Sequence, residues 1–220
     1  MPHKRLYVIN PNSSEAVTAG IDAAMAPLRR ADGPRITCVT LADGPPGIQT
    51  QHDVDRAALA VYKFAQEHLA DAAGFVTACF SDPGLHLLRE IKGVPSFGIS
   101  ECAALTAMTL GQRFGVIAIL DGSIGRHWRT WGAMGITQRV AGELAIGRSV
   151  TELADQAATL KAMIAAGAKL KNEHGANVLV MGCAGMAPFR DTLQDAIGLP
   201  VVEPTQAAAA MALGRIQLGW

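Results

Sequence analysis

Two cysteines, Cys79 and Cys183, stand 104 residues apart in a chain of 220. Each closes a similar apolar run, Ala73-Gly-Phe-Val-Thr-Ala78 before the first and Ala176-Asn-Val-Leu-Val-Met-Gly182 before the second. The chain matches itself elsewhere at nearly the same offset. Arg5-Leu-Tyr-Val-Ile9 aligns with Arg113-Phe-Gly-Val-Ile117 at 108 residues, and Val94-Pro-Ser-Phe97 with Leu199-Pro-Val-Val202 at 105. Two related halves would each present a thiol at the same place. Thiols on opposite walls of a cleft can remove a proton from one face of a carbon and return one to the other. That chemistry inverts a carbon centre with no cofactor.

The elements that must position these thiols read as alternating strands and helices. Strands are expected at Leu6–Ile9, Ile36–Leu41, Gly74–Ala78, Ser96–Ile99, Phe114–Leu120, Ile136–Val140, Val178–Met181 and Val201–Val202. They are short runs rich in Val and Ile. Between them lie helical patterns. One runs from a cap at Asn12, Ser13 or Ser14 to about Arg30, and another spans Asp53–Leu69. A short one opens at Pro83. Others cover Ala103–Leu110, Ser123–Trp131, Glu152–Glu173 (with Thr151 as cap), Pro188–Ile197 and Gln206–Leu218. The Gly- and Pro-rich segment from Ala42 to Gln51 reads as a loop. Repeated strand–helix units imply parallel sheets flanked by helices, with ligands held beyond the carboxyl ends of the strands. Asn10, Cys79, Leu120 and Cys183 all fall at such ends. Two facing α/β lobes would put them around one cleft.

Composition removes several classes. Lys plus Arg and Asp plus Glu both number 19, and no basic block occurs, which argues against nucleic acid. No apolar run is long enough to span a membrane, and the apolar stretch after the basic start stops at Asn10. A cytoplasmic location is the expectation. The high hydrophobic fraction, 50%, suggests extra burial between subunits. No Cys/His spacing suits a metal, and neither GxGxxG nor a Walker loop is present, so no cofactor is indicated. The default for the four cysteines is free thiols, with Cys38 and Cys102 read as packing.

Three segments together carry a resemblance: Ile9-Asn-Pro-Asn-Ser-Ser14, Ala78-Cys-Phe-Ser-Asp-Pro-Gly-Leu85 and Gly182-Cys-Ala-Gly-Met186. The chain resembles the hydantoin and allantoin racemase branch of the aspartate/glutamate racemase superfamily over nearly its whole length. The resemblance implies two α/β lobes related by a pseudo-twofold axis, with the active site between them. Residues 1–100 would form the first lobe and 101–205 the second, and 206–220 would be a helix returning to the first. It also implies a homo-oligomer and a cyclic ureide substrate, a 5-substituted hydantoin or allantoin, inverted at C5 by Cys79 and Cys183. Amino-acid racemases, arylmalonate decarboxylases and maleate isomerases of the same superfamily are the competing enzymes. A binding protein without catalysis, or a disulfide-linked structural protein, is the competing class. Amino-acid racemases usually carry Asn-Thr after the first thiol, where this chain has Phe80-Ser81.

Deprotonating C5 places charge on the C4 carbonyl oxygen, which needs fixed donors. The candidates are the side chains of Asn10, Ser13, Ser81 and Ser123 and the amides of Phe80, Ser81, Ala184 and Gly185. Gly122 and Gly185 would let backbone approach the ring. Ser14 and Ser123 have a second reading as helix caps. His127 could border the substituent pocket or pack in the core. Amide donors at helix starts after each cysteine would favour a resting thiolate.

Overall fold

The computed structural model describes residues 4–220. In the first half, strands β1 (Arg5–Asn10), β2 (Arg35–Thr40), β3 (Ala72–Thr77) and β4 (Ser96–Gly98) form one sheet in the order β2-β1-β3-β4. In the second half, β5 (Phe114–Ala118), β6 (Val140–Ala145), β7 (Val178–Met181) and β8 (Val201–Val202) form another in the order β6-β5-β7-β8. Every pairing is parallel. The inner strands are buried almost throughout, which is why they read as continuous apolar runs rather than as alternating ones.

Helices α1 (Glu15–Ala24), α2 (Gln51–Glu67), α3 (Leu85–Arg89) and α4 (Ile99–Leu110) follow the strands of the first half. Helices α5 (Asp121–Met134), α6 (Gln156–Asn172), α7 (Arg190–Ile197) and α8 (Pro204–Leu218) do the same in the second. The halves therefore share one plan, and α2 and α6, its equivalent members, both have 17 residues. Helix α8 crosses back to lie on β1, β3 and β4, while α4 lies against β5, β7 and β8. The two helices also pack on each other along small buried residues: Cys102, Ala103, Ala104 and Ala107 on α4, and Ala207, Ala208, Ala209 and Ala212 on α8. Small side chains let these helices approach closely. The seam joins residues of both sheets into one core cluster that includes Val8, Val76, Val116 and Val180.

Several boundaries differ from the sequence reading. Helix α1 stops at Ala24 because Pro27 turns the chain into a 3-10 segment over Ala26–Leu28. The strand expected at 136–140 begins only at Val140, since Gly135 ends α5 in a left-handed conformation and a 3-10 turn follows. Asp155 rather than Thr151 caps α6, accepting from the Ala158 amide. The helix expected to open at Pro83 starts at Leu85, after Asp82 and Gly84 both take positive φ. Pro188 lies inside a 3-10 segment, Ala184–Phe189, and α7 begins after it. Asp121 opens α5 two residues before Ser123. No helix among the described residues is long and apolar enough to cross a membrane.

Candidate active site

The two thiols are set by the same backbone device. Beyond β3, the Ala78 amide donates to Ile9 O at 2.8 Å; beyond β7, the Gly182 amide donates to Ile117 O at 2.8 Å. Each bond carries the chain one step past its sheet, and the cysteine comes next. Cys79 and Cys183 line one narrow cavity between the lobes, together with the backbone that follows each: Phe80 and Ser81 on one side, Ala184 and Gly185 on the other. All four cysteines are free thiols. The cavity holds only 30 Å³, against about 300–1,000 Å³ for an open small-molecule site. Wider cavities of 410 and 490 Å³ adjoin it. The first shares Val17, Val150, Ala184 and Gly185 with the cleft, and the second shares Ser81 and Arg126. A ring-sized ligand therefore requires the walls between these spaces to move apart.

Ser123 also lines the cavity; its hydroxyl donates to Leu120 O at 2.7 Å, which leaves the oxygen free to accept. Asn10, Ser13, Ser14 and Gly122 lie outside the lining. Asn10 is fully buried, and its amide group is spent inside the loop. Nδ2 donates to Asn12 Oδ1 (2.9 Å), Ser14 O (3.2 Å) and Thr18 Oγ1 (3.0 Å), while Oδ1 accepts from the Asn12 amide at 3.2 Å. Ser14 caps α1 by accepting from the Val17 amide. The Ser13 amide donates to Pro45 O. Gly122 is exposed, and its carbonyl accepts from Arg126. The Asn-Pro-Asn turn thus brings Asn12, not Asn10, to the cavity. Ile48, Ile119, Val150 and Arg126 are lining residues that sequence reasoning missed. Only Arg126 carried a signal, standing one helical turn after Ser123.

Burial dominates the electrostatics. It pushes the Cys79 thiol up to about 12 and the Cys183 thiol up to about 11, with the Ser81 and Gly185 amides pulling the other way. The amides favour a thiolate at each sulfur, in the direction expected from the sequence, and desolvation by burial acts more strongly against it. Charges near each sulfur differ. The Arg126 guanidinium favours the Cys79 thiolate and Asp82 opposes it, while Glu203 opposes the Cys183 thiolate.

Two features of α5 complete the wall. His127 is buried, its Nδ1 2.5 Å from Glu143 Oε1. Arg126 reaches across the cleft, where Nη2 donates to Gln49 O at 2.8 Å, and Arg129 does likewise to Gln51 Oε1 at 2.7 Å. The second lobe thereby grips the start of α2 in the first. Among the described residues no group of three or more His, Cys, Asp or Glu could hold a metal ion.

The Asp/Glu/hydantoin racemase family model matches residues 6–212. The chain belongs to that family. It is 32% identical over 219 residues to a hydantoin racemase of Pseudomonas sp. (strain NS671), covering 98% of this chain and 87% of the relative. Allantoin racemase from Klebsiella pneumoniae superposes with a TM-score of 0.90 at 31% identity, covering 98% of this chain and 89% of that one. Allantoin racemase from Pseudomonas fluorescens gives 0.88 at 28%, with 98% and 92% covered. The family assignment makes the chain a racemase-like enzyme, and its two sheets with flanking helices are the family's pair of lobes.

Proposed function

We propose that this enzyme racemises 5-substituted hydantoins, allantoin among them, by proton transfer between Cys79 and Cys183. One observation carries the reading: two cysteines at equivalent strand ends of two lobes share a single cleft. In the forward step one cysteine, as thiolate, takes the C5 proton and becomes a thiol. The electron pair of the C–H bond moves onto the C4 carbonyl oxygen, where the amides after the cysteines supply hydrogen bonds. The opposite thiol then gives its proton to C5 from the other face, the pair returns to carbon, and the second sulfur is left as thiolate. Reverse turnover exchanges the roles. Atoms and charge balance without a cofactor.

Burial pushes the Cys79 and Cys183 thiols up to about 12 and about 11, so both would be protonated in this cleft at neutral pH. Formation of the first thiolate therefore belongs to the opened or ligand-bound state, with Arg126 favouring Cys79. The test is polarimetry on purified protein without added cofactor, using allantoin, 5-benzylhydantoin, 5-isopropylhydantoin, glutamate and aspartate. Racemisation of the amino acids alone would overturn the substrate assignment. For the mechanism, Cys79→Ser and Cys183→Ser are assayed in deuterium oxide. Each variant should lose racemisation yet still exchange the C5 proton of one enantiomer, a different one for each variant. Near wild-type racemisation in both would overturn the two-base scheme.

A further inference from the structure

Helix α5 sends two polar side chains to the cleft that neither give nor take the proton passed between the cysteines. Arg126 and His127 both line the cavity that holds Cys79 and Phe80. His127 is fixed on three sides. Its Nδ1 lies 2.5 Å from Glu143 Oε1, and its ring meets Phe80 edge-on at 5.0 Å and Trp131 at 6.0 Å. The Glu143 side chain is wholly buried, and its second oxygen has no partner. Burying an ionisable pair costs desolvation that a well-packed apolar pair would avoid, so packing alone does not account for it. With Nδ1 facing the Glu143 carboxylate, the tautomer that carries its proton on Nδ1 leaves a lone pair on Nε2.

Arg126 is constrained as well. Nη1 donates to Gly122 O and Nη2 to Gln49 O, both at 2.8 Å, while Nε–H is buried with no partner. Adjacent residues of one helix thus bring an unused acceptor and an unused donor to the same wall. Elsewhere Val17, Ile48, Ile119 and Val150 give the cleft an apolar lining.

We propose, resting on hydantoin racemisation at this cleft, that Arg126 and His127 determine specificity for a C5 substituent of the ureide type, –NH–CO–NH₂. His127 Nε2 accepts from a substituent N–H, and Arg126 Nε donates to the substituent carbonyl. Glu143 is a positioning residue that acts through His127. An alkyl or aryl substituent leaves both buried groups unpaired, and sites built to hydrogen-bond a substrate reject analogues lacking the group by up to about 10⁴–10⁵-fold.

The experiment compares kcat/KM for allantoin and 5-isopropylhydantoin in wild type, His127→Leu and Glu143→Gln, with circular dichroism as the check on folding. Wild type should favour allantoin by on the order of 10²-fold or more. His127→Leu should lower that ratio at least about tenfold, chiefly through KM for allantoin, because the ring lone pair is lost while apolar volume is kept. Glu143→Gln should shift it in the same direction by loosening the ring. If His127→Leu fails to fold, the wild-type preference and the Glu143→Gln ratio decide the matter. A wild type that prefers the isopropyl substrate, or variants in which both substrates lose alike, would remove the role of this wall and leave the hydantoin reading intact. A wild type that racemises neither hydantoin would overturn both.

Discussion

Asp82 and Glu203 cap equivalent helices from different places in the chain. The Asp82 carboxylate, in the turn after Cys79, accepts from the Ser100 and Glu101 amides at 2.8 and 2.9 Å, at the start of α4. Glu203, which directly precedes α8, accepts from the Thr205 and Gln206 amides at 3.1 and 2.5 Å. Burial raises both carboxyls to about 7, with the capped amides drawing them back. Each acts on the sulfur of its own lobe, Asp82 on Cys79 and Glu203 on Cys183. The amide donors at the starts of α4 and α8 are thus taken up by these carboxylates rather than offered to a sulfur.

Removing either carboxylate should therefore acidify one thiol and spare the other. In a Cys183→Ser background, Asp82→Asn should let iodoacetamide alkylate Cys79 at lower pH than in the parent. In a Cys79→Ser background, Glu203→Gln should do the same for Cys183. Equal shifts of both thiols by either substitution would contradict the pairing.

The same carboxyls set a pH dependence of stability. In the unfolded chain Asp and Glu titrate near 4, so from about pH 4 to about pH 7 the folded protein keeps protons that the unfolded chain has released. Their contribution to stability falls as pH rises through that window. Asn at position 82 does not titrate. In urea unfolding, the stability difference between Asp82→Asn and wild type should move in the variant's favour from pH 5 to pH 8. A constant difference would place the ionisation of Asp82 elsewhere.

Arg126 supplies a positive charge beside Cys79 and also ties the lobes together through Gln49 O. Arg126→Gln should move Cys79 alkylation to higher pH, with the thiolate fraction falling about tenfold for each pKa unit. Arg126→Lys keeps the charge and should restore part of that loss without restoring the bond to Gln49. An alkylation profile unchanged in Arg126→Gln would mean that its charge does not reach the sulfur.

Much of this was legible in the sequence, for reasons that particular residues make plain. Cys79 and Cys183 could be read because each follows a buried parallel strand, and such strands are short uninterrupted apolar runs. The internal offset of about one half-chain gave the pairing. Asn12, Ile48 and Val150 were not legible, since they reach the cavity from loops whose course depends on tertiary bonds such as Asn10 Nδ2 to Thr18 Oγ1. The type and strand-end position of Asn10 fit a ligand group, but the turn consumes its amide. The pair His127–Glu143 joins α5 to β6, and β6 itself was misplaced because its Gly142 and Glu143 break the apolar pattern.

Gly182 tests how tightly the second sulfur is registered. A Cβ there would lie 2.7 Å from Ile117 O and 3.2 Å from Ala118 Cα, so β7 could accept it only by moving away from β5. That motion would lengthen the Gly182–Ile117 bond, the very contact that delivers Cys183 to the cleft. The first lobe carries Ala78 at the corresponding place, so the requirement is specific to the second. Gly182→Ala should cost about 1–3 kcal/mol, as overpacking does, read by urea unfolding. Displacing the sulfur by about 1 Å should also cost up to about 10²-fold in kcat. Gly132→Ala is the control: its Cβ meets nothing within 4 Å in the last turn of α5, and it should be neutral or stabilising by up to about 1 kcal/mol. Full activity and an unchanged unfolding midpoint in Gly182→Ala would mean that the strand end tolerates a shift and that Cys183 is placed by the turn after it instead.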